Sequence, residues 1–184
     1  AKNPEFADVR SLEGAAPETP EVAGEGAVKT GLSVTTSLAS SASAGPEAEG
    51  LAQTDVTIVA VTVNEEGVIT ACAIDAVQAK AGFSAAGEIT ADLSAPILSK
   101  NELGTDYGMG QYSPIGREWD EQAAALAAYV VGKTAQEVSG IAVNEETRPT
   151  DADLSTSVTI AIGGFLPAIV EAVENAAYLG AQNG

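Results

Sequence analysis

Asp55–Val63 reads DVTIVAVTV, Val68–Val77 reads VITACAIDAV, and Asn64-Glu65-Glu66-Gly67 stands between them. Both runs are dense in β-branched side chains, which suit a pleated, half-buried surface. The link is short, polar and closed by glycine, as a chain reversal requires. The pair predicts an antiparallel hairpin, and the rest of the chain is read outward from it. Upstream, Leu32, Val34 and Thr36 alternate as in a strand, and Ser37–Gly50 (SLASSASAGPEAEG) is a loop. Downstream, Phe83–Thr90 reads as a further short strand punctuated by Gly82 and Gly87. Cys72, inside the second run, is expected to serve as a small core residue.

Helical signals follow. Ser113-Pro114 has the pattern of an N-cap followed by proline at the first helical position. It predicts a helix running to about Val131, where Gly132 stops it. Ile115, Trp119, Leu126 and Val130 would share the buried stripe, and alanines at 123–125, 127 and 128 give high propensity and a thin surface. Thr134-Ala135-Gln136-Glu137 is a capping box that opens a short second helix. Asn144–Asp153 is a polar loop. Val158, Ile160 and Ile162 then alternate as a strand, while a continuous helix from Leu154 competes for the same residues. Pro167 is tolerable only in a helix's first turn, which favours a strand and then a helix over Phe165–Tyr178. The fold class is therefore α+β: an antiparallel strand meander, a central helix and a C-terminal strand-helix unit. Residues 31–184 make up the domain. Residues 1–30, including SLEGAAPETPEVAGEGAVK from Ser11 to Lys29, form an extended arm or linker.

Composition bounds the function. Among 184 residues there are 8 basic and 26 acidic side chains, a net charge of −18, and no histidine. Imidazole dyads and triads and His-ligated metal sites are thereby excluded. A single cysteine excludes an internal disulfide. The few lysines and arginines are scattered singly, so no basic stripe is available for nucleic acid. No apolar run approaches the ~18–20 residues of a membrane span. The acidic, Ala/Gly/Ser/Thr-rich, cysteine-poor composition points to an extracellular or cell-surface bacterial protein. The net charge repels anionic surfaces and other copies of the chain, so self-association should strengthen with salt or acid.

The run YGMGQYSPIGREWDEQAAALAAYVVGKTAQEVSGI, followed by ADLSTSVTIAIGGFLPAIVEAV, resembles a family of secreted proteins and lipoproteins of anaerobic Gram-positive bacteria. That family is distantly related to FMN-binding-type domains. The resemblance covers about Thr30 to Ala177 and implies an FMN-binding-like fold. The family hallmark, an acidic residue before a Ser/Thr-Gly-Ala-Thr segment, matches Asp153 and then Ser157-Val158-Thr159, so Thr159 would stand where some members carry covalent FMN. Here Ser157-Val158 replaces Gly-Ala, which removes the glycine that lets backbone approach a phosphate.

Four chemical readings follow. A flavin ring would stack on Tyr107, Tyr112 or Trp119, with its phosphate at the helix start after Ser113 and near Arg117. The same aromatic cluster would otherwise pack a loop on the sheet, with Trp119 in the core. Asn144, Glu145, Glu146, Asp151 and Asp153 offer oxygens to Ca²⁺ without EF-hand spacing, as does Asn64-Glu65-Glu66-Gly67, and such loops are usually solvated. Carboxylate pairs for glycoside hydrolysis lack aromatic platforms. Self-assembly is the fourth: Phe6, Val9 and Leu12 would anchor the arm on its own domain or along a neighbour's sheet edge. The expected function is a non-enzymatic structural subunit without cofactor or metal, partnered by itself in a filament-like homopolymer. The alternative is an extracytoplasmic FMN-binding module for electron transfer.

Overall fold

The computed structural model describes residues 28–178. The self-assembly residues Phe6, Val9 and Leu12 lie outside them. Three strands, β1 (Lys29–Ser37), β2 (Gly50–Val63) and β3 (Ile69–Phe83), form an antiparallel sheet in the order β1-β2-β3. The expected hairpin is its centre. Gly67 N–H donates to the Asn64 carbonyl (3.1 Å), and the Asn64 side-chain oxygen accepts from Val68 N–H (2.8 Å). A register irregularity between Thr62 and Val63 absorbs the odd residue of the turn. Both strands outrun their β-branched segments, pairing as far as Gly50 opposite Phe83. β1 includes Lys29 and Thr30, two residues that the sequence reading assigned to the arm.

Five helices follow: α1 (Lys100–Leu103), α2 (Trp119–Val130), α3 (Ala135–Ser139), α4 (Ala152–Ser155) and α5 (Phe165–Glu174), with a 3-10 turn at Gly104–Tyr107. α2 packs on β3, and α5 packs on β1 and β2. Between them lies a core that includes Val59, Val61, Ile74, Leu126, Val130 and Ile169. The architecture is thus α+β, with a strand meander and a central helix.

The contact of β1 with α5 is unusually close. A Cβ at Gly31 would collide with the Ala172 carbonyl, so only glycine lets the helix settle there. The next inward residue, Ser33, is buried and donates to Glu171 Oε2 at 2.6 Å. The small and polar residues of β1 therefore face the helices. Leu32 and Val34 face the other way, in register with Ala60 and Ile58 of β2, and each remains 54% exposed.

Three expected elements are corrected. The central helix starts at Trp119, not at Ser113-Pro114. Gly116 adopts φ 66°, which interrupts any helix through it, and the Ser113 hydroxyl accepts from the Gln122 side chain instead of capping. Ile115 consequently lies outside the helix, while Trp119, Leu126 and Val130 are buried as the stripe requires. The strand expected over Val158, Ile160 and Ile162 is irregular chain. The N–H groups of Thr159 and Ile160 donate to a side chain, and that of Ile162 donates to the Thr147 carbonyl (2.8 Å), so no ladder forms. Val158 and Ile162 are nonetheless fully buried as anchors. Nor does a helix run on from Leu154, because α4 ends at Ser155. The strand expected over Phe83–Thr90 is a turn: Phe83 closes β3, and the chain returns to it through one bridge at Ile89.

Other expectations stand. Thr134 and Glu137 form the reciprocal capping box of α3, and Pro167 lies in the first turn of α5. Among the described residues, no helix is long and apolar enough to cross a membrane.

Candidate functional site

Two concavities flank α2. The first, about 420 Å³, lies between the start of α2 and the irregular segment before α5. Tyr112, Ser113, Trp119 and Thr159, four of the six residues proposed for cofactor contact, line it together. Two cations that the sequence reading passed over, Lys100 and Arg148, line it as well. Tyr107 belongs to the neighbouring hollow on the far side of Lys100, and Arg117 is exposed and absent from the lining.

The local geometry follows from Gln122, which is fully buried. Its Oε1 accepts from Thr159 N–H (2.8 Å), Thr159 Oγ1 (3.1 Å) and Ile160 N–H (3.2 Å). Its Nε2 donates to Ser113 Oγ (3.2 Å) and to the Arg117 carbonyl (3.1 Å). One amide thus ties the loop before α2 to the segment before α5, using both donors and a saturated acceptor. Sequence carried a signal for it. Gln122 stands three residues after Trp119 and four before Leu126, a polar side chain at a core position of the helical stripe.

Glu118, at the N-cap of α2, accepts from the N–H groups of Met109 (2.8 Å) and Gly110 (2.9 Å), which folds the loop back onto the helix start. The N-terminal end of α2 is therefore furnished with the protein's own carboxylates, Glu118, Asp120 and Glu121. The phosphate position imagined after Ser113 has no helix start beneath it.

The aromatic groups differ in availability. Trp119 is buried, edge-on to Phe165 at 5.9 Å between centroids, and Lys100 Nζ lies 4.9 Å from its ring centre. The same ammonium is 4.7 Å from the Tyr107 ring, so it is held between two π faces. Tyr112 is 81% exposed at the rim and has a free face. Arg148 donates to the Thr159 carbonyl (2.7 Å) and pairs with Glu146 (3.0 Å), the one ion pair among the described residues. This pocket places positive charge and an aromatic rim in a strongly acidic protein, an arrangement able to receive a planar anion.

Two of the residues considered for calcium, Asn144 and Asp151, bond their side-chain oxygens to their own loop's backbone. Asn144 Oδ1 accepts from the N–H groups of Glu146 and Arg148, and Asp151 Oδ1 caps α4 through Asp153 and Leu154. Among the described residues, no group of three or more His, Cys, Asp or Glu side chains is placed to hold a metal ion.

The second concavity, about 570 Å³, runs along the outer edge of β3 between Thr70–Ile74 and the Asp120, Ala124 and Ala128 side of α2. Its walls are mostly small and apolar. Cys72 lies on the floor, half-buried, and burial pushes its thiol up to about 11. The edge is engaged at both ends. Ile69 bonds Lys133 and Gly132, and the Ile74 carbonyl accepts from Asn101 Nδ2. Between them, no described strand or bridge pairs with the outer side of Thr70–Ala73.

In comparisons with protein-family models, curated proteins and solved structures, the chain matches none.

Proposed function

We propose that this chain is a non-enzymatic structural subunit of an extracellular or cell-surface assembly, joined copy to copy through its N-terminal arm. The supporting observation is an exposed apolar pair on the sheet face that the described helices leave open. Helices cover the inner face, whereas Leu32 and Val34 stand out from the other, beside Ala60 and Ile58. A sheet with two apolar faces is stable when both are layered, and a second copy supplies the missing layer. The charge of −18 opposes that approach, which makes the assembly salt-dependent. Sedimentation velocity on the intact chain at physiological salt tests the reading. Species larger than the 18.4 kDa monomer, lost when residues 1–27 are deleted, support it. A monomer at every salt concentration overturns it.

A second reading, from a different class, is an extracytoplasmic FMN-binding module for electron transfer. The pocket around Trp119 favours it, because Lys100 and Arg148 place positive charge beside the exposed Tyr112 ring. The resemblance to FMN-binding-type domains leads to the same residues. Thr159 makes an awkward attachment point, since its hydroxyl is already bonded to Gln122. Visible flavin absorbance in purified protein, or Trp119 fluorescence quenched by added FMN, would support this reading. An unchanged spectrum throughout the titration would sink it.

A further inference from the structure

We infer that the groove beside β3 receives residues 6–12 of a second copy's N-terminal arm, a few of them paired as a short added strand. The inference rests on the assembly reading above and deepens it by naming the docking surface and its occupant.

Three observations meet in this groove. First, the outer edge of β3 between Ile69 and Ile74 has no strand partner among the described residues, so backbone groups of Thr70–Ala73 are available to a new strand. Second, the α2 wall is built from small side chains, Ala124 and Ala128, facing Cys72 on the β3 side. Both alanines are exposed, leaving a hollow that bulky side chains from elsewhere can fill. Third, Asp120 lines the groove, and its buried Oδ1 has no hydrogen-bond partner among the described residues. A carboxylate at the groove wall attracts an incoming cation.

The arm carries what the groove lacks. Residues 1–27 lie outside the described part, and in Glu5–Leu12 (EFADVRSL) an extended chain places Phe6, Arg10 and Leu12 on one side. Phe6 and Leu12 supply bulk for the alanine-lined hollow, and Arg10 supplies a positive charge for Asp120. Asp8 shares that side, where Asn101 lines the same groove. The main-chain ladder provides affinity, and the side chains set register. Because the arm leaves the domain at β1, the opposite edge of the sheet from β3, copies joined this way follow one another head to tail.

Cys72 on the groove floor makes the contact readable. Single variants Phe6→Cys, Arg10→Cys and Leu12→Cys, each keeping Cys72, are oxidised at mildly alkaline pH and run on non-reducing gels. The expected result is a ladder of multimers from at least one variant. The ladder should be absent when Cys72→Ala is added, and lost when Ala128→Trp fills the groove without lowering the melting temperature. Cross-linking confined to monomers places the arm on its own domain and overturns the proposal. No cross-link dependent on Cys72 overturns it equally. Sedimentation of the chain lacking residues 1–27 separates the two claims. Assemblies that survive the deletion leave self-association standing and remove the arm from it.

Discussion

Gln122 Oε1 lies 2.8 Å from the backbone nitrogen of Thr159 and 3.1 Å from its hydroxyl, joining α2 to a segment 37 residues further along the chain. Together with Ile160 N–H on the same oxygen, this bond pair helps explain why Val158–Ile162 is not a strand. Two of its N–H groups are taken by a helix side chain, and those of Val158 and Ile162 go to the Leu154 and Thr147 carbonyls, so no ladder forms. It also sets one wall of the pocket that holds Lys100 and Arg148.

Replacing that side chain is expected to be severe. In Gln122→Leu the half-buried N–H groups of Thr159 and Ile160 lose their acceptor, at a cost of about 1–3 kcal/mol for each group left unsatisfied. Urea denaturation should show a loss of roughly 3 kcal/mol, with the slope unchanged. A loss below ~0.5 kcal/mol would mean that water replaces the amide without penalty.

Gly31 is the second sensitive position. Its Cβ would strike the Ala172 carbonyl, so Gly31→Ala must push α5 away from β1. Overpacking of this kind costs about 1–3 kcal/mol. The loss should be accompanied by weakening of the bridge between Thr30 and Ala177, read as faster amide exchange at both residues. Unchanged exchange would show that the helix shifts as a unit.

Acid should weaken the fold through Asp55. Hydrogen bonds from Ser40, then Gln53 and Gln78, hold its carboxyl below the usual carboxylate range. A depressed folded pKa means that the unfolded chain takes up the proton first. The contribution is therefore complete above the ordinary value and is lost as pH falls through the lower, folded one. Urea midpoints measured from neutral to strongly acidic pH should fall less steeply in Asp55→Asn than in the parent. Parallel curves would assign the acid sensitivity elsewhere.

Association should respond to salt in the opposite sense from an ion-paired interface. With a charge of −18 on each copy, screening reduces the repulsion, so higher ionic strength should shift sedimentation toward larger species. Leu32→Glu and Val34→Glu should weaken that shift without abolishing it, since the arm remains, and should change stability by less than ~0.5 kcal/mol because both side chains stand largely in solvent. Dissociation on adding salt would point to attraction between charges instead of apolar contact.

Much of the fold was legible in the chain because its signals are local. The hairpin at Asp55–Val77, the capping box at Thr134 and Glu137, the stop at Gly132 and the first-turn Pro167 each depend on residues within a few positions of one another. The helix start at Ser113-Pro114 was misleading. Ser113 had a choice of partners, and Gln122, nine residues away, outcompeted the helix end. The pocket was half legible: aromatic clustering pointed to Tyr112 and Trp119, but nothing local links Lys100 and Arg148 to them.

By itself the sequence determined the absence of imidazole and disulfide chemistry, the charge that governs approach of other molecules, and the α+β alternation of patterns. These depend on composition and short-range periodicity. Tertiary structure alone decided which face of β1 turns inward, since Leu32 and Val34 alternate as core residues do. Gly31 and Ser33 face α5 instead, because only a glycine fits under the Ala172 carbonyl and only a hydroxyl there reaches Glu171. Close packing between distant segments, not the pattern within one, chose the face.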